Sequence, residues 1–356
     1  MKYLMVFLLL GLITSCQSDT KVKIGVLGPL TGPAAELGQH VLQGVELANA
    51  QLGSKYELIV EDTKCDAAVT LNAVQNFIRE NIHYVIGPLC APEYQATAGL
   101  LNRNKIVFMH TSGITQPFID AAGEYGIAGL TTTLAEEDAF LAQFMRLHEN
   151  LTRIGLLIWD EEWAVAHEKG LEESVTRLGG TIVFREHFTL NDNDFRTVLF
   201  KLKESGAEGI FLVGLNFQTA EIVKQMKETN SAIPIFTQFE VEDPAFIVAA
   251  GDAANNVMYV YPKIEQSKEV TQFKSDFERS QGSIPNYYSY IGYDALLLYD
   301  NALKNCADAT CVSNALKSTT NFEGVGGKLS LKGNMLIRDF EIRMIQNSTP
   351  LIVYPT

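Results

Sequence analysis

Basic residues are in short supply: 28 Lys and Arg stand against 42 Asp and Glu, a formal net charge of −14. Nucleic acids are held through their phosphates by a basic surface, so this balance excludes nucleic-acid binding as the main task. Beyond the first residues, no apolar run approaches the roughly 20 residues that a membrane-spanning helix requires. Catalytic motifs are missing too. The chain has no Gly-x-Ser-x-Gly elbow, no His-Glu-x-x-His pair and no Gly-x-Gly-x-x-Gly after its first strand. The glycines at 324–327 lack the upstream glycine of a phosphate loop, and the six histidines are scattered. His110 follows a strand, but a lone histidine reads as structural. The sequence therefore implies neither an enzyme nor a cofactor. No Pro-, Gly- or Ser-rich stretch marks a single linker, and cysteines number only five.

The N-terminus carries the most specific signal. Lys2 precedes an apolar run over 3–13, too short to span a bilayer as a finished helix, and the run ends in Ile13-Thr14-Ser15-Cys16. Residues 1–15 read as a secretory signal peptide, to be set aside in fold reasoning. The ending resembles a bacterial lipobox, with cleavage before Cys16 and acylation of that residue. Polar residues up to 21 form a tether. The expected location is extracytoplasmic, on the periplasmic or cell-surface face, with the protein held to the membrane by lipid.

The remaining four cysteines fall as Cys65 with Cys90, each beside an expected strand end, and Cys306 with Cys311. In an oxidising compartment both pairs can form disulfides. A metal site is the alternative, but no histidine stands at ligand spacing from either pair. Two disulfides, and no metal, is the better reading.

About 340 residues follow the signal, enough for two domains, and 47% hydrophobic residues with 20% charged describe a packed globular chain. Short apolar segments at 22–27, 56–60, 84–86 and 106–109 alternate with amphipathic stretches at 38–52, 67–79 and 93–102. The rhythm restarts near Ala135, with strands expected at 154–159, 181–188, 209–213, 233–237 and 257–261. Helices are expected between them and again at 270–280 and 288–303; strand-like segments close the chain at 327–331, 336–345 and 351–354. Continuous apolar strands between helices imply parallel sheets covered on both faces. The fold class is α/β, with two doubly wound sheets.

Several fragments, in order, resemble the type I periplasmic binding proteins, specifically their branched-chain amino-acid-binding branch. They are Ile24-Gly25-Val26-Leu27-Gly28-Pro29-Leu30-Thr31-Gly32, Glu61-Asp62 before Cys65, and Val85-Ile86-Gly87-Pro88-Leu89-Cys90. Thr111-Ser112-Gly113-Ile114-Thr115-Gln116-Pro117, Ala250-Gly251-Asp252-Ala253, Tyr293-Asp294-Ala295 and the 327–333 hairpin complete the set. The resemblance implies two lobes joined by three crossovers, placed near Thr133, Pro262 and Glu323. Lobe 1 is then 22–133 plus 263–323, and lobe 2 is 134–262 plus 324–356. It also implies a disulfide at Cys65 and Cys90, ABC permease subunits as partners, and a small ligand, an amino acid, captured by hinge closure.

In doubly wound sheets ligands bind beyond the carboxyl ends of the strands. By resemblance Gly113 and Thr115 grip the ligand's carboxylate, Glu240 takes its ammonium, and Trp163 and Tyr288 line the cleft with Asn216. Glu242 and Asp243 compete with Glu240, and Tyr287 and Tyr290 with Tyr288. Two departures stand out: Ala91 replaces a common hydroxyl after Cys90, and Leu37 stands where an aromatic is common. Amides, urea or short organic acids are therefore the alternative ligands, and a ligand-sensing lipoprotein of a signalling system is the alternative role.

Overall fold

The computed structural model describes residues 21–131, 133–264 and 266–355. The expected signal peptide and the lipidation site Cys16 lie outside the described residues.

The first half runs β1 (Lys23–Gly28), α1 (Ala35–Gln51), β2 (Glu57–Asp62), α2 (Ala67–Arg79), β3 (Tyr84–Ile86), α3 (Ala91–Arg103), β4 (Val107–Met109), α4 (Gln116–Ala122) and β5 (Gly126–Ile127). Its strands form a parallel sheet in the order β2-β1-β3-β4-β5. Both faces of β1, β3 and β4 are buried, so the period-2 alternation sends apolar side chains to two cores rather than to core and solvent. Ile24 and Val26 pack with Val41 and Val45 of α1, while Leu27 packs with Phe77 of α2 and Tyr94 of α3.

The second half repeats the plan: α5 (Leu134–Leu147), β6 (Arg153–Trp159), α6 (Glu162–Arg177), β7 (Thr181–Phe188), α7 (Arg196–Glu204), β8 (Gly209–Val213), α8 (Asn216–Glu228), β9 (Ile235–Thr237), α9 (Pro244–Ala250) and β10 (Met258–Pro262). The chain then returns to the first sheet with α10 (Lys268–Gln281), α11 (Tyr287–Leu303) and α12 (Ala309–Lys317). A small antiparallel sheet follows, β11 (Phe322–Gly324), β12 (Gly327–Lys332) and β13 (Met335–Ile337). Finally β14 (Phe340–Gln346) and β15 (Thr349–Tyr354) extend the second sheet, whose order is β15-β14-β10-β9-β8-β6-β7. Its five parallel strands, β7-β6-β8-β9-β10, repeat the order of the first sheet; β14 adds antiparallel to β10, and β15 antiparallel to β14.

Local chemistry agrees with these boundaries. Asp66 accepts from the N–H groups of Ala68 and Val69 at the start of α2. Thr133 and Glu136 cap α5 reciprocally, as Asn286 and Ser289 cap α11. Helices α1 and α11 meet backbone to backbone. A Cβ on Gly44 would lie 2.1 Å from the Ser289 carbonyl, and one on Gly292 2.0 Å from that of Val41. Only glycine permits that approach.

Two expectations at the C-terminal end change. The single strand expected over 336–345 is two strands, broken at 338–339. The chain after Glu323, expected to enter the second sheet directly, first forms the separate three-stranded sheet β11–β13, and β14 joins the second sheet only beyond that break. The Asp294 carboxylate explains the difference. It accepts from the N–H groups of Val325 (2.8 Å) and Gly326 (2.9 Å), fastening the turn to α11. Asn334 then accepts from the Ala128 N–H at 2.8 Å, and the Lys263 N–H reaches the Asp339 carbonyl at 2.8 Å. The passages between the halves thus run side by side.

Both disulfides form, Cys65–Cys90 and Cys306–Cys311. Among the described residues, no helix is long and apolar enough to cross a membrane.

Candidate functional site: a cleft between two switch points

In each sheet the strand order reverses once, between β1 and β3 and between β6 and β8. There the loops leaving two neighbouring strands diverge to opposite faces, leaving a crevice beyond their carboxyl ends. The two crevices face one another and enclose a cleft of about 530 Å³. The loop and helix start after β1 supply Pro33, Ala34, Glu36 and Leu37, and those after β3 supply Leu89, Cys90, Ala91 and Pro92. From the other half come Trp159, Glu161 and Trp163 after β6, and Gly214, Leu215, Asn216 and Phe217 after β8.

Six of the seven expected ligand-binding residues line this cleft: Ala91, Gly113, Trp163, Asn216, Glu240 and Tyr288. Thr115 does not line it. It stands at the start of α4, where its carbonyl accepts from the N–H groups of Phe118 and Ile119. Gly113 has a different reason for being glycine than contact with a ligand. A Cβ there would meet Leu134 at 2.3 Å, so the missing side chain lets the halves approach.

Glu240 is the chemical centre. The Tyr288 hydroxyl, carried on the first turn of α11, donates to its Oε1 at 3.0 Å across the cleft. Its Oε2 is buried with no hydrogen-bond partner among the described residues. Burial raises the Glu240 pKa, against the opposing pull of its own backbone N–H, the nearby His167 and the Tyr288 hydroxyl. Beneath it, His167 Nδ1 lies 2.8 Å from Asp138 and 3.1 Å from Gln238, and the ring meets Trp163 edge to face at 4.9 Å. Burial would lower the His167 pKa, but Asp138, Glu137 and Glu240 together raise it. The aromatic wall and the acid are therefore braced by one buried polar network.

A second group of acids ties the halves together. Asn216 donates to Glu36 at 3.2 Å, and Asn286 donates to Asp243 at 2.8 Å. His40, itself 2.9 Å from the Ser289 hydroxyl, lies 3.5 Å from Asp243. Burial and a hydrogen bond to Asp243 push the Glu36 pKa up to about 8. Glu36 then enters this contact carrying its proton near neutrality.

Sequence reasoning did not select Trp159, Glu161, Glu36 or Ser112. The signal for Trp159 and Glu161 was available, since they end or closely follow β6 at its carboxyl end, while Glu36 lies in the first turn of α1. His110, read as structural, does line the cleft. Its Nδ1 is 2.7 Å from the Pro88 carbonyl, which can only accept, so the ring carries its proton there. Burial pushes its pKa down to about 4, leaving it neutral.

Comparison with known proteins adds four findings. A family model described as periplasmic binding protein matches residues 21–349. The Leu/Ile/Val-binding protein of Citrobacter freundii is 22% identical over 329 residues, 90% of this chain and 89% of the relative. Among solved structures, the branched-chain amino acid transporter substrate-binding protein of Streptococcus pneumoniae, in complex with isoleucine, matches with a TM-score of 0.84 at 20% identity, over 94% of this chain and 100% of its own. A solute-binding protein of R. palustris in complex with benzoate reaches the same TM-score, 0.84, at 18% identity, over 94% of this chain and 95% of its own. At these identities the two structures share the fold, and their ligands differ in charge.

Proposed function

The chain belongs to the periplasmic binding protein family, a family of extracytoplasmic solute-binding proteins and not of enzymes, and we propose that it captures an amino acid in the cleft between its two lobes for an ABC importer. The observation that carries this reading is Glu240, buried at the junction of the halves with one oxygen unpartnered. A buried carboxylate oxygen without a donor costs free energy that an ammonium group would offset, and a hydrogen bond between charged groups contributes about 1.5–3 kcal/mol net. The apolar walls would take the side chain, and closure would come from hinge motion at the passages near 128–133, 262–264 and 338–339.

The benzoate-bound neighbour raises an organic acid as a second reading. Glu161 and Glu240 in the cleft lining speak against it. The lobe limits, 22–133 with 263–337 and 134–262 with 340–356, and the lipid anchor at Cys16 belong to the same proposal; palmitate labelling that survives Cys16→Ser would remove the anchor.

A thermal-shift panel of amino acids, amides, urea and short organic acids tests the reading. A true ligand at a hundredfold over its Kd adds about 2.7 kcal/mol of stability. Glu240→Ala is expected to weaken the best amino acid by about 2–3 kcal/mol, roughly 30- to 150-fold. A panel in which only acids stabilise the protein would overturn the amino-acid reading.

A further inference from the structure

The groups that can hold the charged end of an amino acid are few and already accounted for. Glu240 takes the ammonium, and the Tyr288 hydroxyl that donates to it also pairs with the Ser112 side chain. Ser112 lines the cleft, as do Ala34 and Leu215, which precede α1 and α8 and offer no side-chain cap to their first N–H groups. Hydroxyl and free N–H groups are what a carboxylate needs. One zwitterion satisfies this set, and most of the cleft is left over.

The room can be put on a scale. A dry apolar cavity of about 150 Å³ takes one benzene, roughly 25 Å³ per non-hydrogen atom. Leucine, with nine such atoms, then fills about 225 Å³, and tryptophan, with fifteen, about 375 Å³. The cleft measures about 530 Å³. Its halves already touch through Tyr288 with Glu240 and Asn216 with Glu36, so this is not the gap between separated lobes. Leucine would leave more than half of it empty or wet. Tryptophan leaves space for a handful of waters, at about 30 Å³ each.

The walls suit a ring. Trp159 and Trp163, both tryptophans of the chain, stand in the lining with Phe217 and Leu190. Phe217 is 53% exposed and Leu190 40%, so two large apolar side chains lie uncovered in a concave wall, where a ligand would bury them. Aromatic rings pair edge to face or offset-stacked, with a gain beyond the area they bury. Small residues make the space: Ala34 and Ala91 on one half, Ala245 and Ala249 on the other.

We infer that the cleft selects large aromatic amino acids, tryptophan and phenylalanine above all, over branched-chain and smaller ones. This rests on the amino-acid reading above and names the side chain that reading leaves open.

Calorimetric titration of L-tryptophan, L-phenylalanine, L-leucine and L-valine into the full chain at pH 7 decides it, with indole-3-propionate as the probe that keeps the ring and lacks the ammonium. The aromatic pair is expected to bind about tenfold or more tightly than leucine, with valine weaker still. Ala249→Phe, at an exposed position of α9, fills part of the room and should shrink the tryptophan-to-leucine ratio severalfold; Ala91→Leu should do the same from the other half. Leucine binding as tightly as tryptophan would overturn the inference while leaving amino-acid capture intact. So would a preference that neither substitution reduces, since the ring would then sit elsewhere. Heat from indole-3-propionate alone would overturn both readings. No heat from any of the five would overturn the inference, and the wider thermal-shift panel would then judge the parent reading by itself.

Discussion

The two halves of this molecule share a strand order and divide the labour. The first sheet, β2-β1-β3-β4-β5, carries both disulfides, one of them joining the loop after β2 to the loop after β3 at the edge of the cleft. The second, with the same order in its parallel core, carries no disulfide among the described residues. It does carry both tryptophans, Glu161, Asn216 and Glu240. One half holds its loops still; the other supplies most of the chemistry. Identical topology fixes where a ligand goes, and the residues placed on the strand ends decide what it can be.

Breaking that division at its stiffest point should have the largest effect. The Cys65–Cys90 bridge spans 25 residues, and the chain-entropy estimate for such a loop is about 3.5 kcal/mol; the five-residue Cys306–Cys311 loop gives about 2. The double variant Cys65→Ser with Cys90→Ser is expected to lose more denaturant stability than Cys306→Ser with Cys311→Ser, and also to weaken ligand binding. Urea unfolding with a parallel titration checks both. Equal losses, with affinity untouched, would mean the cleft-side bridge does no more than the remote one.

The division can be sharpened with a pair of truncations on facing walls. Trp163→Ala removes an aromatic that borders the cleft and packs on His167. It should cost about 1–2 kcal/mol of binding to an ammonium ligand, roughly 5- to 30-fold. Leu37→Ala, on the first half, removes apolar contact alone and should cost about 1 kcal/mol. Calorimetry on both variants gives the ranking. A larger loss from Leu37 would place the specificity in the wrong half.

Much of this arrangement was legible in the sequence, for physical reasons. Apolar segments such as 84–86 and 209–213 coincide with β3 and β8 because both faces of those strands are buried and leave an unbroken hydrophobic run. Asn216 was found from its place at the carboxyl end of a strand, and Ala91 and Trp163 through the family resemblance, at positions that lie close after strand ends. Trp159 escaped because the last residue of a buried strand reads as core. The break at 338–339 escaped because β13 and β14 have one pattern on both sides of it, and only the clamp at Asp294 reveals that they serve different sheets. Thr115 was carried over by resemblance, and a local turn into α4 decides where its side chain goes. Contacts across the halves, such as Glu36 with Asp243, leave no trace in spacing, since roughly two hundred residues separate the partners along the chain.

That last contact yields the smallest and most discriminating effect. Burial and Asp243 push the Glu36 pKa up to about 8 from an ordinary 4.5, so the folded, closed form holds a proton that the unfolded or opened form releases above pH 4.5. Stability from this group is therefore fully present below pH 4.5 and is lost as pH rises through about 8. His40 faces the same carboxylate, but burial lowers its pKa, which keeps it neutral from pH 7 upward and out of the measurement. Glu36 is only half-buried, and with solvent screening allowed for, the loss between pH 7 and 9 should be about 1 kcal/mol, a fall in Tm of about 2–4 °C. Glu36→Gln should flatten that slope while matching the native protein only below about pH 4.5, where the contribution of Glu36 is fully present. The same variant should also make ligand affinity less sensitive to pH, because its partners Asn216 and Asp243 belong to the opposite half. If the slope in Tm flattens but the slope in affinity does not, Glu36 stabilises the fold without governing closure.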